Sequence, residues 1–189
     1  MGQKVAGCLG LAPCEPIPIF DRQDNNVPKD ASSTRAGILS AAVQTLQRAG
    51  VEGFTLDAVA RRAGVVKGLV LYHYGSRARL LRTAAAQIEQ SRESSLTRAL
   101  AARSGVGGVD ACWEELRRQA EDGTTRAWLS LCAAGLIDRS ARHSELEEAA
   151  RGTVVDGCAI ALASGVPLTE ARDAYNALWL ALLDVIESV

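Results

Sequence analysis

A short stretch, residues 66–74, has the pattern of a helix that presents one face to a partner. Val70 and Tyr74 are four residues apart, so on a helix they share a side, and we predict that this side packs inward. The other side chains would then point outward. They are Val66, Lys67, Gly68, Leu69, Leu71, Tyr72 and His73. An exposed helix face of this kind fits the major groove of DNA, which is wide enough to admit an α-helix.

The outward residues predict different kinds of contact. Lys67 can donate to guanine edges or to a phosphate. Gly68 has no side chain, so it allows close backbone approach, which would explain a residue that otherwise costs helix stability. Val66 and Leu69 are apolar: they either contact thymine methyl groups or belong to the core. The residues leave both interpretations open.

Neighbouring elements would hold this helix in place. Thr55 is placed to cap a preceding helix, because its hydroxyl can accept from free amides of the first turn. Gly64 ends that helix where a positive φ is cheap, and Ser76 can cap the helix that follows. Two helices joined by a short turn with glycine are the helix-turn-helix plan, in which the second helix, the recognition helix, enters the major groove.

Many positions in residues 35–81 agree at fixed spacing with a known family. They are Ile38, Leu39, Ala41, Ala42, Gly50, Thr55, Leu56, Ala63, Gly64, Val65, Lys67, Gly68, Tyr72, His73, Tyr74, Ser76, Arg77, Leu80 and Leu81. The stretch resembles the amino-terminal domain of TetR/AcrR-type transcriptional repressors.

This resemblance implies roles for particular side chains. Tyr72 and His73 are expected to contact DNA phosphates, and Thr55 and Arg77 are expected to contact the flanking DNA backbone. Such contacts position the protein on DNA without reading its sequence. The chain departs from the family pattern at Val66, where a small polar residue is usual, and at Leu71, where tyrosine is often found. Both residues lie on the predicted recognition helix, so these departures bear on which operator sequence the protein would bind.

The net charge of −1 conceals two unlike halves. Residues 33–92 contain nine Arg and Lys against three acids, whereas residues 93–189 contain nine Arg against fifteen acids. The basic half holds the helix-turn-helix. Attraction to phosphates explains that placement and predicts salt-dependent binding; a basic, solvated helix surface is the alternative.

Composition predicts an all-α fold. Apolar residues make up 48% of the 189 residues, and alanine, leucine, arginine and glutamate dominate without alternating strand formers. Four of the five prolines lie in residues 1–31, predicted to be a flexible arm. Residues 32–82 are predicted to form the DNA-binding domain, and residues 83–189 a helical ligand-binding and dimerisation domain. No run of about 18 apolar residues predicts a membrane span.

Catalytic and metal chemistry find little support. The five cysteines show no CxxC and no His/Cys ligand spacing, and His143, the only histidine besides His73, has no acidic or cysteine partner at ligand spacing. We predict no catalytic residue, metal or cofactor. Reduced thiols fit a cytoplasmic, nucleoid-associated protein. Redox sensing by Cys112 or Cys132 remains open beside buried, inert thiols.

The remaining helices are predicted from periodicity and from glycine-containing breaks, with residues 104–108 ending the long helix after Ser76. The predicted helices are about 34–49, capped by Ser32 or Ser33; 109–121; 126–138, capped by Thr124 or Thr125; 144–164, capped by Ser144; and one from Thr169.

Two further sets of residues are predicted in the second half. Trp113, Trp128 and Cys132 are candidates for a ligand pocket, with plain core packing as the alternative. The last helix is apolar on most sides and therefore needs burial beyond its own domain. The resemblance implies that the last two helices of two subunits form a four-helix bundle. The predicted interface residues are Val155, Leu178, Trp179, Leu182, Val185 and Ile186.

Together these features predict a repressor that binds a palindromic DNA operator as a homodimer and is released by a small-molecule effector. The alternative is a helical module whose recognition helix has degenerated and which acts through ligand or protein contacts; Val66 and Leu71 are what favour it. An enzyme is the other class considered; against it, the sequence shows no phosphate-binding glycine loop after a strand, no nucleophile elbow and no zinc spacing.

Overall fold

The structure, a computed structural model, describes residues 31–103, 105–138 and 146–187. The predicted arm, except Ala31, lies outside them. The described residues form eight α-helices, which confirms the all-α prediction. The helices are α1 (Ala31–Ala49), α2 (Leu56–Ala63), α3 (Lys67–Tyr74), α4 (Arg77–Ala101), α5 (Val106–Glu121), α6 (Thr124–Ala133), α7 (Leu146–Ala163) and α8 (Leu168–Glu187).

The predicted start and stop signals of the helix-turn-helix are confirmed. The Thr55 hydroxyl accepts from the backbone N–H of Ala58 at 3.1 Å and caps α2. Gly64 then takes a left-handed conformation, φ 66°, that glycine adopts without a Cβ penalty. Ser76 caps α4 by accepting from the N–H of Arg79 at 3.1 Å. Thr55 and Gly64 thus mark the two ends of α2, and Ser76 marks the start of α4.

A first core joins α1, α2, α3, the first half of α4, and α6. Val70 and Tyr74 are buried in it, as predicted, and the Tyr74 hydroxyl donates to the carbonyl of Arg35 on α1 at 2.8 Å. Trp128 of α6 is completely buried in the same core. Packing around the helix-turn-helix therefore continues past residue 82.

A second core joins the end of α4 with α5, α7 and α8. Its centre contains the aromatic rings of Trp113, Tyr175 and Trp179, with centroids 5.3 Å apart in the first pair and 6.1 Å in the second. The Tyr175 hydroxyl donates to the carbonyl of Val109 at 2.8 Å, which ties α8 to α5.

Buried polar groups lie where α4 passes from one core to the other; we call Glu89, Arg92, Trp128 and Asp156 the Arg92 junction. A guanidinium nitrogen of Arg92 donates to Asp156 on α7 at 2.9 Å, and both side chains are more than 90% buried. The same guanidinium lies 3.9 Å from the Trp128 ring centroid. Trp128 Nε1 donates to Glu89 at 2.9 Å. The junction thus connects α4, α6 and α7.

Several predicted helix boundaries were wrong. α1 begins at Ala31, so Ser32 and Ser33 lie inside the helix and do not precede it. α5 begins at Val106, because Gly105 turns the chain at φ 60° and so ends the break earlier than expected. In α5, Gly108 lies so close to α4 that a Cβ there would be 2.4 Å from the Leu100 carbonyl oxygen.

The boundaries of the last three helices also differ from the prediction. α6 runs Thr124–Ala133, with Gly123 at its N-cap and φ 83°, in place of either threonine. A Cβ on Gly123 would lie 2.5 Å from the Gln47 carbonyl oxygen, so only glycine allows the α5–α6 turn to approach α1 this closely. α8 begins at Leu168, one residue before Thr169. The proposed cap Ser144 lies outside the described residues.

Candidate DNA-recognition surface

The recognition helix α3 turns one side into the first core and the other to solvent. Val70 is 0% exposed, whereas Tyr72 is 81% and Val66 73% exposed. Leu71 is also exposed, and Leu69 is half-buried. The predicted outward side chains are therefore accessible to a partner, with Leu69 and His73 partly covered; that they contact DNA remains a prediction.

Lys67 begins α3 and carries a flexible cation at the protein surface. Its Nζ lies 2.9 Å from Oδ2 of Asp57 on α2, and both side chains are at least half exposed. A solvent-exposed pair of this kind contributes about 0–1 kcal/mol. Lys67 can therefore exchange Asp57 for a phosphate or a guanine edge at little cost.

Arg77 has a role inside the protein that the sequence did not reveal. Its Nε donates to the carbonyl of Phe54 at 2.8 Å, and Nη2 donates to the carbonyl of Val51 at 3.3 Å. The guanidinium also lies 5.8 Å from the Phe54 ring centroid. It thereby holds the α1–α2 connection against the start of α4, while its exposed edge remains available to a phosphate.

No contact or backbone conformation within the subunit explains why residue 68 is a glycine. A Cβ added there would meet nothing within 4 Å, and its φ lies outside the left-handed region. Beside it, Tyr72 and His73 make an edge-on ring contact with centroids 5.2 Å apart. The open space over Gly68 is next to the most exposed aromatic side chain of α3.

Exposed positive charge is frequent on the helices of the amino-terminal part. In addition to Lys67 and Arg77, exposed arginines lie on α1, α2 and α4. They are Arg35, Arg48, Arg61, Arg62, Arg79 and Arg82. This charge provides the sequence-independent attraction that phosphates need.

The three predicted ligand residues do not line one cavity. Trp113 belongs to the second core, whereas Trp128 belongs to the first and Cys132 packs against it. The Trp128 face is occupied by Arg92. Helical periodicity identified the inward side of each helix but could not tell which of two cores it joins. An open groove of about 560 Å³ lies between α4 and α5, lined by Ala99, Ala102, Arg103, Asp110, Ala111, Glu114, Glu115, Arg117 and Arg118.

The predicted dimer interface needs a correction. Val155 and Trp179 are 5% and 6% exposed and lie in the subunit's own core. Leu178 is 47% exposed and Leu182 is half-buried, so both remain candidates. The side chains of Val185 and Ile186 lie outside the described residues. In α7, α8 and the turn between them, exposed apolar residues that were not in the predicted set are Ile160, Val166, Leu168 and Leu180.

Burial makes two of the thiols unreactive. It raises the pKa of Cys112 above its ordinary value and raises that of Cys158 to about 11. Because the thiolate is the reactive form, both groups stay protonated and inert near neutral pH. This environment favours structural roles over redox sensing for Cys112.

No cluster of three or more His, Cys, Asp or Glu side chains among the described residues is arranged to hold a metal ion. None of the helices in the described part of the chain combines the length and apolar character needed to cross a bilayer.

Comparisons with known proteins agree with this architecture. The family model for bacterial regulatory proteins of the TetR family matches residues 38–84. Two curated relatives from Pseudomonas putida are each 32% identical over 85 residues, or 45% of this chain: the HTH-type transcriptional regulator SrpR and the uncharacterized HTH-type transcriptional regulator TtgW. The matched region spans 37% of SrpR and 58% of TtgW.

A solved structure shares the fold over a longer range. The crystal structure of a gamma-butyrolactone receptor, an ArpA-like protein, superposes with a TM-score of 0.52 at 22% identity, covering 82% of this chain and 88% of that one. Both proteins have an all-helical architecture over the superposed range. Residues 38–84 therefore match the amino-terminal domain of TetR-family regulators, and the chain shares its fold with the solved receptor structure over 82% of its length.

Proposed function

We propose that the protein is a ligand-responsive repressor that binds a palindromic operator as a homodimer. This proposal rests on how α3 packs. Val70 and Tyr74 are buried in the core on one side of the helix, and Lys67 and Tyr72 are exposed on the other side, in a part of the protein rich in positive charge. A helix fixed in this way can enter a major groove without rearranging the domain. The DNA partner implies a cytoplasmic protein associated with the nucleoid, and no catalytic activity is proposed.

Dimerisation is supported by apolar side chains that the subunit leaves exposed at its carboxy-terminal end. Leu178, Leu180 and Leu168 are 47%, 64% and 50% exposed on α8, and Ile160 is 37% exposed on α7. Burying one apolar face of α8, such as Leu178 with Leu182 four residues later, against the same face of a second copy would make a two-fold interface. Such symmetry requires two matched half-sites, with a spacing set by the distance between the two recognition helices.

Release by a small molecule is the regulatory part of the proposal. A ligand in the carboxy-terminal half would stabilise a state in which the two α3 helices no longer match the half-site spacing, provided that it binds this state more tightly. α4 begins beside α3 and ends in the second core, and α6 packs on both α1 and α4. These two helices are the physical route between a ligand and the DNA surface.

Substitutions on α3 test the proposed DNA contact. We expect Lys67→Ala and Tyr72→Ala each to abolish the discrete complex with the DNA flanking the protein's own gene, because both side chains lie on the exposed face. Binding is measured by mobility shift with excess competitor DNA. Arg103→Ala, which removes an exposed charge from the connection between α4 and α5, is the control and should bind as the native protein does.

Folding and assembly need a separate measurement on the same variants. Circular dichroism and size-exclusion chromatography should show helical dimers for all three. Variants that remain folded dimers and still bind the DNA as tightly as the native protein would exclude α3 as the recognition element. The helical module with a degenerate recognition helix would then become the better description.

A further inference from the structure

The outward face of α3 is poor in groups that read bases by hydrogen bonding. Lys67 is its one charged donor, and that group is paired with Asp57 at 2.9 Å. Gly68 has no side chain, and Leu69 and Leu71 have no polar atoms. Among these four positions, Lys67 alone can therefore donate a hydrogen bond to a base edge, and the side chains at 68, 69 and 71 offer none.

Two aliphatic side chains on this face stay in water in the free protein. Val66, at the N-cap of α3, is 73% exposed, and Leu71 is 38% exposed. In helix-turn-helix proteins the amino-terminal residues of the recognition helix are those that approach base edges. Leu71 lies four residues after Lys67, on the same side of the helix. The empty space at Gly68 leaves this surface free to come close to a flat partner.

The major groove offers one apolar group for such side chains, the C5 methyl of thymine, which cytosine lacks. Val66 and Leu71 cannot donate to guanine or accept from cytosine, but each can bury a methyl group from water. Resting on the proposed function, we propose that Val66 and Leu71 determine operator specificity by contacting thymine methyl groups in each half-site.

Removing single methyl groups from the DNA tests this directly. An operator is first selected from a randomised duplex pool with the native protein, and each thymine is then replaced singly by deoxyuridine. That replacement removes the methyl group and leaves every hydrogen-bonding group in place. At one or more thymines per half-site we expect about fourfold weaker binding, because burying one such carbon is worth about 0.8 kcal/mol.

The protein side of the test assigns the contact to residues. In Val66→Ala or Leu71→Ala, deoxyuridine should no longer weaken binding at the thymine that the removed side chain contacted. This loss is the interaction energy between the side chain and the methyl group, as a double-mutant cycle measures it. Val106→Ala is the matched control, since Val106 is 71% exposed but lies on α5. It should leave every deoxyuridine penalty unchanged.

Three outcomes would overturn the inference; two of them leave the proposed function intact, and the third overturns it as well. Deoxyuridine that binds as well as thymine at every position overturns it, as does a penalty that is the same in the native protein and in both α3 variants. In either case the protein still selects an operator, so the proposed function stands. A pool from which no sequence is enriched overturns the proposed function and the inference together.

Discussion

Two ion pairs in this chain should contribute very differently to stability, because one is buried and the other is exposed to solvent. Arg92 and Asp156 form an ion pair with side-chain exposures of 4% and 8%, whereas Lys67 and Asp57 form one of the same length at 50% and 64%. Burial removes water that would otherwise solvate each charge, so each member of the buried pair depends on the other. The exposed pair can open at little cost.

Removing one member of the buried pair should therefore destabilise the protein strongly. We expect Asp156→Asn to lower the free energy of unfolding by about 3 kcal/mol, because it leaves the Arg92 charge less compensated in a dry site. Asp57→Asn, the same change in the exposed pair, should cost less than about 1 kcal/mol. Urea unfolding followed by circular dichroism measures both. Equal costs for the two substitutions would contradict this account of the Arg92 junction.

Sequence patterns identified which side chains face outward on α3, since helical spacing alone places Val70 and Tyr74 inside. They did not reveal the role of Arg77, because its acceptors, the carbonyls of Phe54 and Val51, come close only when the α1–α2 connection folds against α4. Nor could they separate Trp113 from Trp128. Both are buried at helical spacing, and only the packing of α6 against α1 puts Trp128 in the other core.

Among the elements, α3 is short and depends on its neighbours. It has eight residues and no side-chain cap at Val66, so most of its stability must come from packing of Val70 and Tyr74. The glycine in its first turn weakens it further. Gly68 lowers the stability of α3, and no contact within the subunit requires a glycine there. Close approach of the proposed DNA partner is the simplest explanation for this residue.

Replacing that glycine separates stability from binding. We expect Gly68→Ala to raise the free energy of unfolding by about 0.5–1 kcal/mol, since alanine favours helix and the new methyl meets nothing. The same methyl should weaken operator binding about tenfold by crowding the DNA. Thermal unfolding and mobility shift measure the two effects.

Gly37 on α1 provides the control, because a Cβ there also meets nothing within 4 Å. Gly37→Ala should stabilise the protein by a similar amount and leave DNA binding unchanged. If Gly68→Ala stabilises the protein and binds the operator normally, close approach of DNA at Gly68 is excluded.

Helix ends were harder to predict than helix identities. Thr55, Gly64 and Ser76 carry local signals, and the ends they mark were predicted correctly. Gly108 and Gly123 were interpreted only as breaks between helices, although tertiary contacts explain them: Gly108 lies against the Leu100 carbonyl and Gly123 against that of Gln47. Close approach between distant segments leaves no mark on local periodicity.

In the whole molecule, two cores share one long helix. α4 contributes Leu80, Leu81 and Ile88 to the first core and Leu96 to the second, with Arg92 between them. The all-α class could be predicted because composition and periodicity act along the chain. The inclusion of α6 in the first core could not, because it depends on the turn at Gly123 docking on α1, where Gln47 donates to Thr124 at 2.9 Å.

Charge is also divided across the molecule in a way that bears on function. Positive residues dominate 33–92 and acidic residues dominate 93–189. The basic part contains α3, so the DNA partner that we propose would be attracted to this part and repelled by the acidic part. This division would orient the protein during association and make its affinity for DNA depend on ionic strength.

The most direct test of the proposed DNA recognition is a mobility-shift titration of the native protein, across a salt series, on the DNA flanking its own gene. A discrete complex should form that outcompetes random duplex, and log affinity should fall linearly with log salt by about 0.9 for each phosphate neutralised. Footprinting of the complex should show two protected half-sites related by a dyad. Affinity equal to that for random duplex at every salt concentration, with no protected site, would contradict sequence-specific recognition by α3.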